Sequence, residues 1–194
     1  MRLLFIIPIL FLAACNATYN APPVTAQQAA LIANPTPEVL AQVEKELPAF
    51  LAEDDFVERV TAAVGRPLDA REMQIARLVG IKHPEKVRIA VVPRIPSQNR
   101  QQAISNATGV AFPAKAITGR YSIIFAKPFA DDLEVLTHEL VHVRQYEELG
   151  NEGMARRVVI ERIVLRGKTV IPIETEAVFE TARILGTEPA YYPF

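Results

Sequence analysis

Thr137-His138-Glu139-Leu140-Val141-His142 holds the residue types and the spacing that metal-assisted hydrolysis needs. On a helix of 3.6 residues per turn, side chains four apart stand one above the other. The His138 and His142 imidazoles can then both reach one tetrahedral zinc. Glu139 is offset by about 100° around the same helix. From there its carboxylate reaches a water beside the metal without being a ligand, which is the place of a general base.

A catalytic zinc takes three protein ligands and keeps one position open. The chain has three histidines, and the remaining one, His83, precedes Pro84 in a loop and reads as structural. No histidine follows His142; Gln145 and Glu148 stand at the third and sixth positions beyond it. The third ligand is therefore sought as a carboxylate on a later helix, in Ile173-Glu174-Thr175-Glu176-Ala177. Glu174 and Glu176 lie about 200° apart around a helix, so only one of them can face a metal. Glu174 shares its face with Ala177, Val178, Thr181 and Leu185, and Glu176 shares its face with Glu180 and Arg183. Glu174 is thus expected to be the buried ligand and Glu176 the solvated acid.

These groups need a scaffold. Asp131-x-x-Glu134 caps a central helix expected over 132–149, with Gly150 just past its end. Leu133, Leu136, Leu140 and Val143 form one stripe of it, and Glu134, His138, His142 and Tyr146 form another. A helix with two such stripes is packed on two sides. Tyr146, one turn beyond His142, either donates a hydrogen bond to a transition state or packs. Before this helix, Thr36-Pro37-Glu38 starts a helix that Pro48 is expected to stop, and a second helix covers 55–64. Asp69-x-x-Glu72 resembles a capping box for a helix ending at Gly80. Residues 87–92 alternate and are rich in β-branched side chains, so they read as a strand. Residues 116–118 and 120–126 read as strand with a bend at Gly119, and 97–107 as a short polar helix. After the central helix come a basic amphipathic helix over 154–166 and a last helix over 174–185. The arginines of the former, Arg156, Arg157, Arg162 and Arg166, are read as a solvated face; anionic lipid or wall polymer is the alternative.

Half the residues are apolar, enough for a core, and the net charge of −1 gives no reason to expect nucleic acid. The single cysteine, Cys15, excludes an intrachain disulfide. Arg2 and the apolar run of residues 3–12 form a signal-like segment too short to span a bilayer. It ends in Leu12-Ala13-Ala14-Cys15, which resembles the lipobox of bacterial lipoproteins. The resemblance implies a signal peptide over 1–14, cleavage before Cys15, and lipid on that residue. Residues 15–35 carry no charge and read as the lipidated end and a tether, with a possible helical turn at 27–33; the folded domain is expected over 36–194. Asn16 after the cysteine resembles an address for the periplasmic face of the outer membrane.

Leu136-Thr137-His138-Glu139-Leu140-Val141-His142-Val143-Arg144-Gln145-Tyr146, followed by Pro172-Ile173-Glu174-Thr175-Glu176-Ala177, resembles small bacterial metallopeptidases of the gluzincin type. The resemblance covers about residues 87–185. It implies an α+β fold: a small, mainly helical, zincin-like domain with a short antiparallel sheet beside the His-Glu-x-x-His helix. It also implies Zn2+ on His138, His142 and Glu174, with Glu139 as base in peptide-bond hydrolysis. Where that family often has an Asp after its Glu-x-x-Ala element, this chain has Val178, so a partner for the metal-binding histidines must come from elsewhere. The expected function is a membrane-tethered zinc metallopeptidase of the cell envelope, with peptide or protein substrates and an extended peptide pairing with the strand at 120–126. The alternatives are a zinc-stabilised lipoprotein that acts as a scaffold and a periplasmic metal-binding protein. Arg144 and Gln145 are expected to support the site or the fold.

The anchor is the part of this reading that can be checked most directly. Cys15→Ser is expected to release the protein from membranes and to abolish its labelling with a fatty-acid probe. A variant that stays on membranes with the label intact would remove the lipoprotein reading.

Overall fold

A computed structural model describes residues 23–95, 114–166 and 171–189. The signal segment, Cys15 and the expected helix at 97–107 lie outside them. The order of elements is α1 (Ala26–Ala33), α2 (Pro37–Val64), β1 (Arg66–Pro67), α3 (Ala70–Val79), β2 (Arg88–Val92), β3 (Ala116–Thr118), β4 (Ser122–Ala126), α4 (Leu133–Leu165) and α5 (Pro172–Leu185), with single 3-10 turns at Pro84–Lys86 and Lys127–Phe129. The fold is α+β, mainly helical with one small sheet.

The sheet has the order β1-β2-β4-β3 and is mixed. The two strand stretches on either side of the expected bend at Gly119 pair as an antiparallel hairpin of β3 and β4, but β2 and β4 run parallel, with Ile89 opposite Ile123 and Val91 opposite Phe125. The expectation of a purely antiparallel sheet is corrected on this point. All five residues of β4 are buried, because it is an inner strand covered on both faces. The period of two then sorts its side chains. Ile123 and Phe125, with Ile89 and Ala116, pack on Ile75 and Val79 of α3 and on Val135, Leu136, Leu140 and Val143 of α4. Ile124 and Ala126, with Ala90 and Ile117, pack on Val57 of α2. The sheet is thus a layer between α2 on one side and α3 with α4 on the other.

The α2 helix does not stop at Pro48 as expected; it runs through it. An interior proline costs about 3 kcal/mol because it removes one backbone bond and crowds the preceding turn. Here Val43, Leu47, Phe50 and Val57 are all buried on one side of the helix, while Pro48 and Glu44 are exposed. Each buried side chain of that size contributes about 1.5–3 kcal/mol, so four of them outweigh the proline. A polar network then fastens α2 to the hairpin. Ser122 Oγ donates to Glu58 at 2.9 Å, Thr61 Oγ1 meets Ser122 Oγ at 2.6 Å, and the Tyr121 amide donates to Glu58 at 3.3 Å. The turn passes close under α2 at Gly119: a Cβ there would lie 3.0 Å from Glu58 Oε1 and 3.4 Å from Val57 Cγ1, so a larger residue would push on the Glu58 side chain.

The α1 helix falls within the stretch read as a tether. It is closed by a Thr25–Gln28 capping box, lies against α4, and partly buries Ile32. The expected basic helix is the second half of α4, and three of its four arginines are engaged. Arg156 pairs with Glu44 and Glu152, Arg157 with Glu161, and Arg162 stacks over Phe50.

The two runs of α4, 133–149 and 151–165, meet at Gly150, whose φ of 72° and ψ of 168° belong to a region that only glycine enters readily. This matches the helix stop expected there. A Cβ at Gly150 would touch nothing within 4 Å, so the constraint is on the backbone alone. Gly150→Ala is expected to destabilise the protein by about 1–3 kcal/mol, the cost of a non-glycine residue in that region. Denaturant unfolding checks this; unchanged stability would show that the break does not need glycine.

Candidate metal centre

The first run of α4 turns Leu136, Leu140 and Val143 into the core and leaves His138 and His142 on another face, both buried. The α5 helix packs across α4 and brings Glu174 onto them. His142 Nε2 lies 3.0 Å from His138 Nε2 and 3.2 Å from Glu174 Oε2, and His138 Nε2 lies 3.3 Å from the same oxygen. Donors around a four-coordinate ion with bonds of about 2.0–2.1 Å stand about 3.3–3.4 Å apart, so the triangle has close to the size of such a ligand set. Among the described residues, these three form a group that could hold a metal ion. The Glu174 side chain is 20% exposed, which leaves the group open on one side.

Gln145 orients the site. Its Oε1 lies 2.7 Å from His142 Nδ1, and its Nε2 donates to the Ile173 carbonyl at 3.1 Å. Reversing the amide would set its oxygen against that carbonyl, so the orientation is determined by the two contacts together. His142 Nδ1 therefore carries the hydrogen and Nε2 is the nitrogen turned to a ligand. Gln145 supplies the partner that the Val178 position lacks.

Burial opposes a charge on His142, but the Glu174 carboxylate against it, with Glu139 and Gln145 nearby, raises the imidazole to about 9. Burial also opposes the charge on Glu174, yet His142 and His138 hold its carboxyl well below the usual range. Without a metal, each partner favours the charged form of the other, the imidazolium on His142 and the carboxylate on Glu174. A metal must displace the imidazolium proton, so its apparent affinity rises with pH up to about 9.

Glu139 is buried beside the triangle and accepts from Thr118 Oγ1 at 2.5 Å. Thr118 stands opposite Ile123 in the hairpin, so strand alternation turns it to the α4 side of the sheet. Nothing in the sequence near Thr118 announced this role; the contact exists only because β3 lies along α4. Tyr146 is placed elsewhere. Its hydroxyl is buried and donates to Asp54 Oδ1 at 2.7 Å, so the proton expected for a transition state is committed to α2, and the packing alternative describes the residue. His83 is away from the group, on the surface, where its amide and that of Lys82 donate to Glu147.

Glu176 is held on the outside. Arg144 Nη2 donates to it at 2.7 Å, Arg144 also pairs with Glu148 and Glu180, and the Glu176 side chain is 39% exposed. Glu174→Ala is therefore expected to weaken metal binding more than 100-fold, beyond the loss of about 10–100-fold typical of supporting residues. Glu176→Ala is expected to leave it nearly unchanged. Chelator competition on both variants checks this, and equal affinity in the two would remove Glu174 from the ligand set.

No family model matches the chain, and no curated protein or solved structure gives a significant match.

Proposed function

We propose that this chain is a zinc-dependent peptidase of the bacterial cell envelope, anchored by lipid on Cys15. The observation that carries the reading is the meeting of His138, His142 and Glu174 at one point with the Glu139 carboxylate buried beside them. Two imidazoles and one carboxylate are a donor set that catalytic zinc uses, whereas structural zinc is closed by four protein ligands. A zincin-like reading of the fold rests on the same arrangement: a His-Glu-x-x-His helix packed on a sheet, with a later helix giving the carboxylate. When bound, zinc supplies Lewis acidity, bringing the pKa of a water to about 7 and polarising a carbonyl.

The side chains have distinct tasks. His138, His142 and Glu174 would hold the ion, with Gln145 keeping His142 in the ligating tautomer. Glu139 takes a proton from the attacking water as the water oxygen bonds to the peptide carbon. The C–N bond then breaks, and Glu139 passes the proton to the leaving nitrogen. Thr118 holds one oxygen of Glu139 during these steps and leaves the other for the proton.

The strand expected to pair with a substrate needs correction. β4 is hydrogen-bonded to β2 on one side and β3 on the other and has no free edge. Among the described residues the outer strand on the site's side is β3, which carries Thr118 next to Glu139. An extended peptide pairing along β3 would bring its carbonyl past Glu139, and this favours peptide over small-molecule substrates.

Glu139→Gln keeps the shape of the side chain and removes its basicity. It is expected to retain the metal and the fold and to lose about 10²–10⁴-fold or more in hydrolysis. A peptide library with a chelator control checks this. Wild-type protein that binds zinc but cleaves nothing would favour the scaffold alternative, and equal cleavage by both proteins would remove Glu139 as the base.

A further inference from the structure

Glu161 is 1% exposed, a carboxylate on the second run of α4 among Val158, Val159 and Leu165. An apolar residue would fill that space without the penalty of burying a charge. Its bonds explain what it does there. Oε2 accepts the amide of Ile173 at 3.0 Å, and Oε1 accepts Arg157 Nε at 3.0 Å. Ile173 belongs to the first turn of α5, whose N-cap, Ile171, has no side-chain hydrogen bond to offer. Pro172 has no N–H, so the Ile173 amide is the first free donor of the helix, and Glu161 accepts it from another helix. The other end of the same residue is held as well, since Gln145 Nε2 donates to the Ile173 carbonyl at 3.1 Å. The Ile173 side chain is fully buried. The next residue is Glu174.

We propose that Glu161 is a positioning residue for the metal centre: with Gln145 it clamps the backbone of Ile173 and so sets where Glu174 stands against His138 and His142. The Gln145 arm also holds His142, so one amide ties two of the three donors together. The Glu161 arm joins that unit to the far half of α4, beyond the break at Gly150. Without it, the Ile173 amide loses its acceptor, and the backbone before Glu174 is held from the carbonyl side alone, by Gln145. The inference rests on the metal-site reading above and deepens it.

The test uses the full-length chain purified in detergent, with Zn2+ and Co2+ as probes. Glu161→Leu fills the space, removes a buried charge and deletes the acceptor. Glu161→Gln keeps an acceptor oxygen for the Ile173 amide. The leucine variant is expected to bind Zn2+ about 10–100-fold more weakly by chelator competition, the usual effect of losing a residue that orients a ligand. Its Co2+ form should show altered visible absorption, while the glutamine variant recovers most of the affinity and the wild-type spectrum. Thermal unfolding of the metal-free proteins separates general destabilisation from this effect. A leucine variant with a lowered Tm but unchanged Zn2+ affinity and Co2+ spectrum would overturn the proposal, as would a glutamine variant as weak as the leucine one. Wild-type protein that binds neither ion would instead sink the metal-site reading, and this inference with it.

Discussion

The structure depends on holding two imidazoles and a carboxylate from two helices within about 3 Å of one another inside the protein. Such groups do not gather on their own. Each loses water on burial, and a buried charge is stable only against a partner. The Glu174 carboxylate raises the His142 imidazole, and the two histidines lower Glu174, so each group favours the charge that the other needs. A divalent cation would supply the same positive charge to the carboxylate.

Everything around the triangle limits how α4 and α5 move. The hairpin of β3 and β4 is pressed between α2 and α4, and α2 grips its turn through Glu58, Thr61 and Ser122. That grip sets the height of Thr118 along α4 and hence the orientation of Glu139. Tyr146 on Asp54 joins α4 to α2 one helical turn beyond His142. On the outer side, Arg144 gathers Glu148, Glu176 and Glu180, which fixes the rotation of α5 about its own axis. With Glu176 drawn outwards, Glu174 is turned inwards. The two acids are separated by geometry, not by any difference in their chemistry.

The elements themselves were largely legible along the chain. Local signals sit next to the residues they control: the Asp69–Glu72 box, and Gly80 and Gly150 at helix ends. At the start of α4 the cap is Asp132, one residue past the expected Asp131, because its carboxylate is the one that reaches the Glu134 and Val135 amides. The site was legible for the same reason, because His138, Glu139 and His142 are placed by one helix with a known turn. The face argument for Glu174 also needed only one helix. Pro48 was misleading since its effect is local, while the burial that overrides it comes from α4 and the sheet.

What the sequence by itself determined is therefore whatever one helix or one hairpin enforces: the element types, the spacing of the two histidines, and which face of α5 is buried. Only the tertiary structure decided the pairings between distant segments. These are the parallel register of β2 with β4, the turning of Thr118 to Glu139, the loss of Tyr146 to Asp54, and the hold of Gln145 and Glu161 on Ile173. The physical reason is range. Periodicity and capping act over a few residues, whereas a hydrogen bond between residues 92 apart, such as Tyr146 to Asp54, depends on how whole elements pack, and no local pattern encodes that.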